Sequence, residues 1–405
     1  MPWNDNPFLA QGLASTTLTP LGLRVVSARG PWLQTDDGRL IFDAISGIGV
    51  SNFGHQHPII QESLRNQLDR HLHVMVYGEL LQEVQEQAGK LLLETMPEVL
   101  DCVYFVNSGA EAIDAALKLA KRVTGRTELI GIRGGYHGNT HGALSVSSNE
   151  SRKARYRPLL PDVLFLDWND QRSLDKITER TACVVVEPIQ GDAGVRIPHE
   201  SWMHALRTRC TEQGTLLIVD EIQCGMGRSG KTWAFEHFGI TPDVVCMGKA
   251  LGGGMPIGAL AASRDNMASL AHAPSLGHIT TFGGHPMACA GVVGAFQAMA
   301  AVDQRAQEVR MAGWQRRLEA HPLVQVVRRM GSFFAVELDH PDRVAAVVHK
   351  GLEGAPGSPG KGILLFWFLS VPHAFRIAPP LTLRDDEAAE GLELLIDTLD
   401  AVQST

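Results

Sequence analysis

The chain has 405 residues, 44% of them hydrophobic, and a formal net charge of −8. That length supports a large core and more than one domain, while the acidic balance gives no basis for binding nucleic acid or an anionic membrane. The six cysteines are scattered without a CxxC pair, which predicts buried free thiols in a reducing, cytoplasmic setting.

The opening MPWNDNPFLAQ lacks the basic-then-apolar pattern of a signal peptide, so none is expected. Residues 23–44 read as a β-hairpin, with LRVVSA and RLIFDA flanking WLQT and the turn Asp36-Asp37-Gly38. A Gly-rich polar stretch follows, and residues 59–93 carry leucines at helical spacing. Strands are predicted at 102–106, 128–132, 163–166, 183–186, 216–219 and 244–247, with helices between several of them, such as 111–123 and 201–213. This alternation predicts a parallel sheet with helices on its faces. Residues 286–318 read as one long helix or two. Beyond them, SFFAVEL, ILLFWFL and FRIAPPLTL lie around a helix at 343–352, and an amphipathic helix closes the chain at 385–402. These predict a smaller α+β unit, with 354–362 (GAPGSPGKG) as its most flexible loop. The longest apolar run, 363–369, is too short to span a bilayer. No internal repeat is visible.

The chemistry centres on 216–254. Its first apolar run ends in Asp220 and its second reaches Lys249. Ligands of open α/β sheets sit beyond the carboxyl ends of the strands, so a carboxylate and an amine would face one crevice. Pyridoxal phosphate requires that pair: an amine to form a Schiff base and an acid to keep the pyridine nitrogen protonated.

Other strand ends add to it. The turn Ser108-Gly109 precedes a helix, with Glu111 at capping-box spacing, and offers free N–H groups to an anion. Alone this is an ordinary capped helix; its place past a strand end favours a phosphate. Tyr136, in the loop Gly134-Gly135-Tyr136-His137-Gly138, has the shape to stack on a flat heterocycle, although a lone loop aromatic more often packs on the core. Glu187 ends the run CVVV at the same edge; by itself it reads as a solvated loop acid. The pairs His137/His141, His55/His57 and His71/His73 each lack a third ligand, so no metal is expected. Gly225, Gly227 and Gly230 match the dinucleotide fingerprint formally, but Asp220 to Cys224 separate them from the strand. Gly248-Lys249 resembles the end of a P-loop, but Asp243 replaces its first glycine and Ala250 its Ser/Thr.

The motifs GHQHP, NSGAEAIDAALKLAK, YHG, EPIQGDAGV, LLIVDEIQCGMGRSG, GKALGGGMPIGA, TTFGGHPMACA and FRIAPPLTL stand in one order over nearly the whole chain. In them the sequence resembles the class III (ω-) aminotransferases, closest to the acetylornithine/ornithine branch. The resemblance implies an α/β protein of the pyridoxal-phosphate transferase fold type I. It implies a mostly parallel seven-stranded sheet in a large domain (51–290), and a smaller α+β domain built from both termini (1–50 and 291–405).

It also implies roles. Lys249 is the Schiff-base lysine and then the general base; Asp220 pairs with the pyridine nitrogen and Gln223 with the phenolic oxygen. Ser108, Gly109 and Ala110 cradle the phosphate, joined by Thr281 from the neighbouring subunit. Tyr136 stacks on the ring with His137 beside it, Glu187 lies near ring and substrate, and Arg376 binds a substrate carboxylate. The family is dimeric, with sites shared across the two-fold. Three positions depart from its pattern: Asn139 where the branch has Arg, Asp192 where it has Glu, and Ile48 where some members have an aromatic. The function expected is transfer of an amino group, often a terminal one, from an amino acid or amine to a 2-oxo acid by a ping-pong route. The alternatives are an aminomutase or lyase on the same scaffold, a nicotinamide-dependent oxidoreductase, and a non-catalytic binding module.

Overall fold

The computed structural model describes residues 6–76, 78–354 and 357–404. Residues 355 and 356 of the loop expected to be flexible lie outside them, as do residues 1–5.

The N-terminal strands β1 (Val25–Arg29), β2 (Trp32–Thr35) and β3 (Leu40–Asp43) form an antiparallel meander, one strand more than a hairpin. Gly38, at φ +86°, makes the turn before β3. The helical pattern over 59–93 is two helices, Pro58–Leu68 and Glu83–Leu93. Between them Leu72, Met75, Leu80 and Leu81 face outward, so a continuous helix would have nothing to pack on there.

The central sheet holds β4 (Cys102–Val106), β5 (Glu128–Ile132), β6 (Val163–Leu166), β7 (Thr181–Val186), β8 (Leu216–Asp220), β9 (Val244–Gly248) and β10 (Gly258–Ala262). Their order is β4-β10-β9-β8-β7-β5-β6. Strands β5, β7, β9 and β10 are buried along their whole length, because helices cover both faces; this is why they read as continuous apolar runs. Pairing is parallel from β6 to β9, whereas β10 runs antiparallel to both β9 and β4. The sequence reading had no strand at GALAA. Small side chains give it a weak strand signature, yet its smallness is required: a Cβ on Gly258 would lie 2.0 Å from the Ser108 carbonyl oxygen.

Residues 286–318 form two helices, Pro286–Ala300 and Gln304–Glu319, meeting at 79°. Asp303 caps the second by accepting from Ala306 N at 2.9 Å. Among the described residues no single helix is long and apolar enough to cross a membrane.

The C-terminal strands are β11 (Val326–Met330), β12 (Phe333–Glu337), β13 (Lys361–Leu364), β14 (Phe366–Trp367) and β15 (Ala374–Ile377). The apolar run 363–369 is not one strand. It breaks at Leu365, and its halves enter different sheets: β1-β2-β3-β13 and β11-β12-β15-β14. Strand β13 pairs in parallel with β3, Lys361 opposite Leu40, so the first and last parts of the chain share one sheet. Phe42, Trp314, Phe334, Phe375 and Leu395 fill the core beneath it.

Candidate active site

The functional residues lie where strands end. Asp220 is the last residue of β8 and Lys249 follows β9, its parallel neighbour. Lys249 adopts φ +48°, a left-handed conformation uncommon for a side chain with a Cβ, and the packed sheet holds it there. Past β4, Ser108 caps the helix Gly109–Thr124, its Oγ accepting from Glu111 N at 3.2 Å. The Glu111 carboxylate accepts from Asn107 N at 2.7 Å, one residue outside the expected capping box. First-turn N–H groups such as those of Gly109 and Ala110 have no intrahelical acceptor. Strand β10 ties this turn to the lysine: a Cβ on Gly248 would lie 3.3 Å from Gly109 Cα. On Gly109 itself a Cβ would meet Ile222 at 2.7 Å, so the turn closes only with glycine.

Asp220 is 4% exposed, and its Oδ2 lies 2.7 Å from His137 Nδ1. A carboxylate only accepts, so Nδ1 carries the proton. Burial opposes a charge on His137, but the hydrogen bond and field of Asp220 raise its pKa above the usual histidine value. The His137 ring is therefore a buried brace, hydrogen-bonded to Asp220. Its loop is fixed from behind. His137 N donates to Ser147 Oγ at 2.9 Å, and Lys153 Nζ donates to the carbonyls of Ser145 (3.2 Å) and Ser147 (2.8 Å). Asp114 accepts from Ala143 N at 2.7 Å. None of these supports is signalled in the sequence beyond a run of serines.

Glu187 is buried, not a solvated loop acid. It accepts from Tyr136 N and from Gly191 N, each at 2.9 Å, and burial pushes its pKa up to about 7. Tyr136 is half-buried above the crevice. Asn139 is exposed, its Nδ2 3.4 Å from the Tyr136 hydroxyl. Gln223 reaches Gly191, where an added Cβ would meet its Oε1 at 2.2 Å, and it also borders Gly49. Ile48 is in that neighbouring turn, at φ +66°, an outlier for a β-branched residue. Ser46 Oγ holds the turn to the Ala378 carbonyl at 2.7 Å. Thr281 is exposed.

Desolvation brings the Lys249 ammonium down to about pKa 8; Asp220 and Glu187 push it back up, and Arg376 lowers it further. Among the described residues no hydrogen bond or ion pair engages its amine. Arg376, on β15, is 4% exposed; it stacks on Phe368 with 4.6 Å to the ring centroid, and its Nε is buried without a partner. Desolvation lowers its pKa to about 10. Asp192 Oδ1 is 3.8 Å from Arg376 Nη2, beyond hydrogen-bond reach.

The glycines resembling a dinucleotide loop pack inward. A Cβ on Gly225 would strike Trp233 at 2.8 Å, and Arg228 between them is buried, donating to Asn52 Oδ1 (2.6 Å) and to the carbonyls of Ser332 (3.0 Å) and Pro379 (2.6 Å). That loop joins parts of the chain through Arg228.

The family profile described as Aminotransferase class-III matches residues 14–399. The chain belongs to the class III aminotransferases. An acetylornithine aminotransferase of Methanopyrus kandleri is 37% identical over 390 residues, covering 95% of this chain and 96% of the relative. A putrescine aminotransferase of Pectobacterium atrosepticum is 34% identical, covering 99% of this chain and 87% of the relative. The structure of the ornithine aminotransferase from Toxoplasma gondii, which has pyridoxal phosphate at partial occupancy in its active site, matches with TM-score 0.86 at 27% identity, over 98% of this chain and 94% of that one. This aminotransferase therefore uses pyridoxal phosphate to move an amino group from an amine or amino acid to a 2-oxo acid. Its own geometry fits the cofactor: a buried amine of lowered pKa, a buried carboxylate braced by the His137 ring, and a helix N-terminus whose first residue is a glycine packed against Ile222.

Proposed function

We propose that the enzyme takes a terminal primary amine as donor and holds the carboxylate of a 2-oxo acid acceptor at Arg376, with Lys249 moving the proton. One observation carries this reading: Asp220, Lys249 and the Ser108 turn converge at one sheet edge, with Arg376 within electrostatic range of the lysine. When bound there, pyridoxal phosphate supplies the aldehyde that takes up the amino group and a ring that accepts charge developing on the substrate carbon.

The N–H groups of Ser108, Gly109 and Ala110 hold a phosphate at the positive end of their helix. Asp220 would pair with the pyridine nitrogen; His137 holds its Oδ2, and its Oδ1 also accepts from Ile222 N at 3.0 Å. Tyr136 would cover one face of the bound ring, Gln223 would donate to its phenolic oxygen, and Glu187, tied to Tyr136 and Gly191, would shape the space beside it. Lys249, as the neutral amine, takes a proton from the carbon bearing the amine and returns it two atoms away. Ile48 gives the substrate side an apolar wall. Asn139 offers no charge for a distal carboxylate; at the Tyr136 hydroxyl the field of Arg152 only partly opposes those of Asp192, Asp220 and Glu187. Relatives named for acetylornithine and putrescine support a terminal amine as donor.

We take the enzyme to act as a cytoplasmic homodimer. Leu72, Met75, Leu81, Leu276, Ile279 and Phe282 are exposed, and the rings of His73 and Phe282 (centroids 5.2 Å apart) join the two segments carrying them. An apolar surface of this kind fits a second copy, with Thr281 beside Phe282 reaching the partner's phosphate.

The deciding experiment gives holoenzyme an amine donor alone. Stoichiometric pyridoxamine phosphate with release of an oxo product is expected; a rearranged or eliminated product instead would make the enzyme a mutase or lyase. The pH profile is a second check. The half-reaction starting from the pyridoxamine form needs Lys249 neutral, and that amine titrates at about 8. Its rate should rise about tenfold per pH unit below 8 and level off above it. A rate that falls across that range would remove Lys249 as the base.

A further inference from the structure

Two carboxylate oxygens of Asp192 are nearest to Arg376, yet both are used elsewhere. Oδ1 accepts from Leu369 N at 3.0 Å and Oδ2 from Ser370 Oγ at 2.6 Å. The Ser370 hydroxyl is itself oriented: Asn149 Nδ2 donates to it at 3.1 Å, which leaves its single proton for Asp192. Arg376 Nη2 stays 3.8 Å from Oδ1, an ion pair too long for a hydrogen bond, and among the described residues Arg376 Nε has no hydrogen-bond partner. Leu369 and Ser370 directly follow Phe368, whose ring lies under the guanidinium. The same short turn therefore supports Arg376 from one side and occupies its neighbouring acid from the other.

We propose that Ser370 is a specificity-determining positioning residue, which keeps Asp192 from closing on Arg376 so that the guanidinium stays open to a substrate carboxylate. This rests on Arg376 being the carboxylate anchor. The buried Arg376 guanidinium forms only a loose 3.8 Å ion pair with Asp192 and no hydrogen bond to it, so it takes whichever anion can reach hydrogen-bonding distance. With Asp192 latched, that anion is the substrate's. With the latch removed, Asp192 turns one oxygen onto Arg376, and every 2-oxo acid must displace it. An amine donor that lacks a carboxylate gains from the same change, since the guanidinium is then hydrogen-bonded without a substrate carboxylate. Ser370 is well placed for such a role because it lies exposed at the crevice rim; its substitution leaves no hole in the core.

The test compares Ser370→Ala, Ser370→Thr and Arg376→Ala holoenzymes by steady-state kinetics with a 2-oxo acid and a diamine. Ser370→Ala should raise KM for the 2-oxo acid roughly tenfold, the scale of one hydrogen bond to a charged group, with kcat little changed. It should also raise kcat/KM for the diamine, and Ser370→Thr, which keeps the hydroxyl, should behave as the native enzyme. If Ser370→Ala leaves the 2-oxo acid KM unchanged, or lowers efficiency toward both substrates alike, the latch has no part in specificity. If Arg376→Ala also leaves that KM unchanged, the anchor assignment fails; if only Arg376→Ala raises it, the anchor stands and the latch falls.

Discussion

Lys249→Ala should lose transamination by at least roughly a thousandfold, the general-base contribution alone, while the protein still folds and still takes up pyridoxal phosphate. Folding survives because alanine has a Cβ like lysine and tolerates φ +48° no worse; glycine would relax that strain and blur the result. Cofactor uptake survives because the Ser108 turn and Asp220 belong to other strand ends and do not depend on the amine. What disappears is the buried amine lying between them, which among the described residues makes no hydrogen bond. The experiment is cofactor content and absorbance of the purified variant beside its turnover with a donor and acceptor pair. Full turnover in a variant that binds the cofactor would sink the assignment.

Asp220→Asn is the second severe substitution. The side chains have nearly the same shape, so the change is one of charge. Asparagine cannot keep a pyridine nitrogen protonated, and the ring then accepts charge poorly. The neighbours respond as well. His137 loses the partner that raises its pKa against the effect of burial, and that pKa should fall. Lys249 loses the first of the charges holding its pKa up, so the amine should titrate below 8. The expected loss in kcat is roughly three to four orders of magnitude, the scale on which other buried, oriented carboxylates act when neutralised. Rapid single-turnover kinetics separate this from a binding defect, and a variant with native rate would show that Asp220 does not face the nitrogen.

The two residues in these predictions were legible in the sequence for a simple physical reason. Strands β8 and β9 are buried on both faces, so they read as unbroken apolar runs, and the first polar residue after each marks the sheet edge. Ser108 was legible because capping chemistry is local. Strand β10 was not, since GALAA carries no β-branched residue and its constraint, the contact of Gly258 with Ser108, arises only in three dimensions. Glu187 shows the same limit. Nothing near it in the chain says that Tyr136 N and Gly191 N will desolvate it and hold it. The break at Leu365 was hidden because seven consecutive apolar residues look alike whether they serve one sheet or two. Ser370 was hidden with it, since its position beside Asp192 depends on that break.

The pairing of β13 with β3 bears on how the chain is made. A ribosome releases the meander well before the strand that completes its sheet, with the whole central sheet between them. The meander therefore waits, edge unpaired, until β13 has been made. Charged side chains suit that interval: Arg24, Arg29, Asp36, Asp37 and Arg39 flank the waiting strands and keep them soluble until Lys361 arrives.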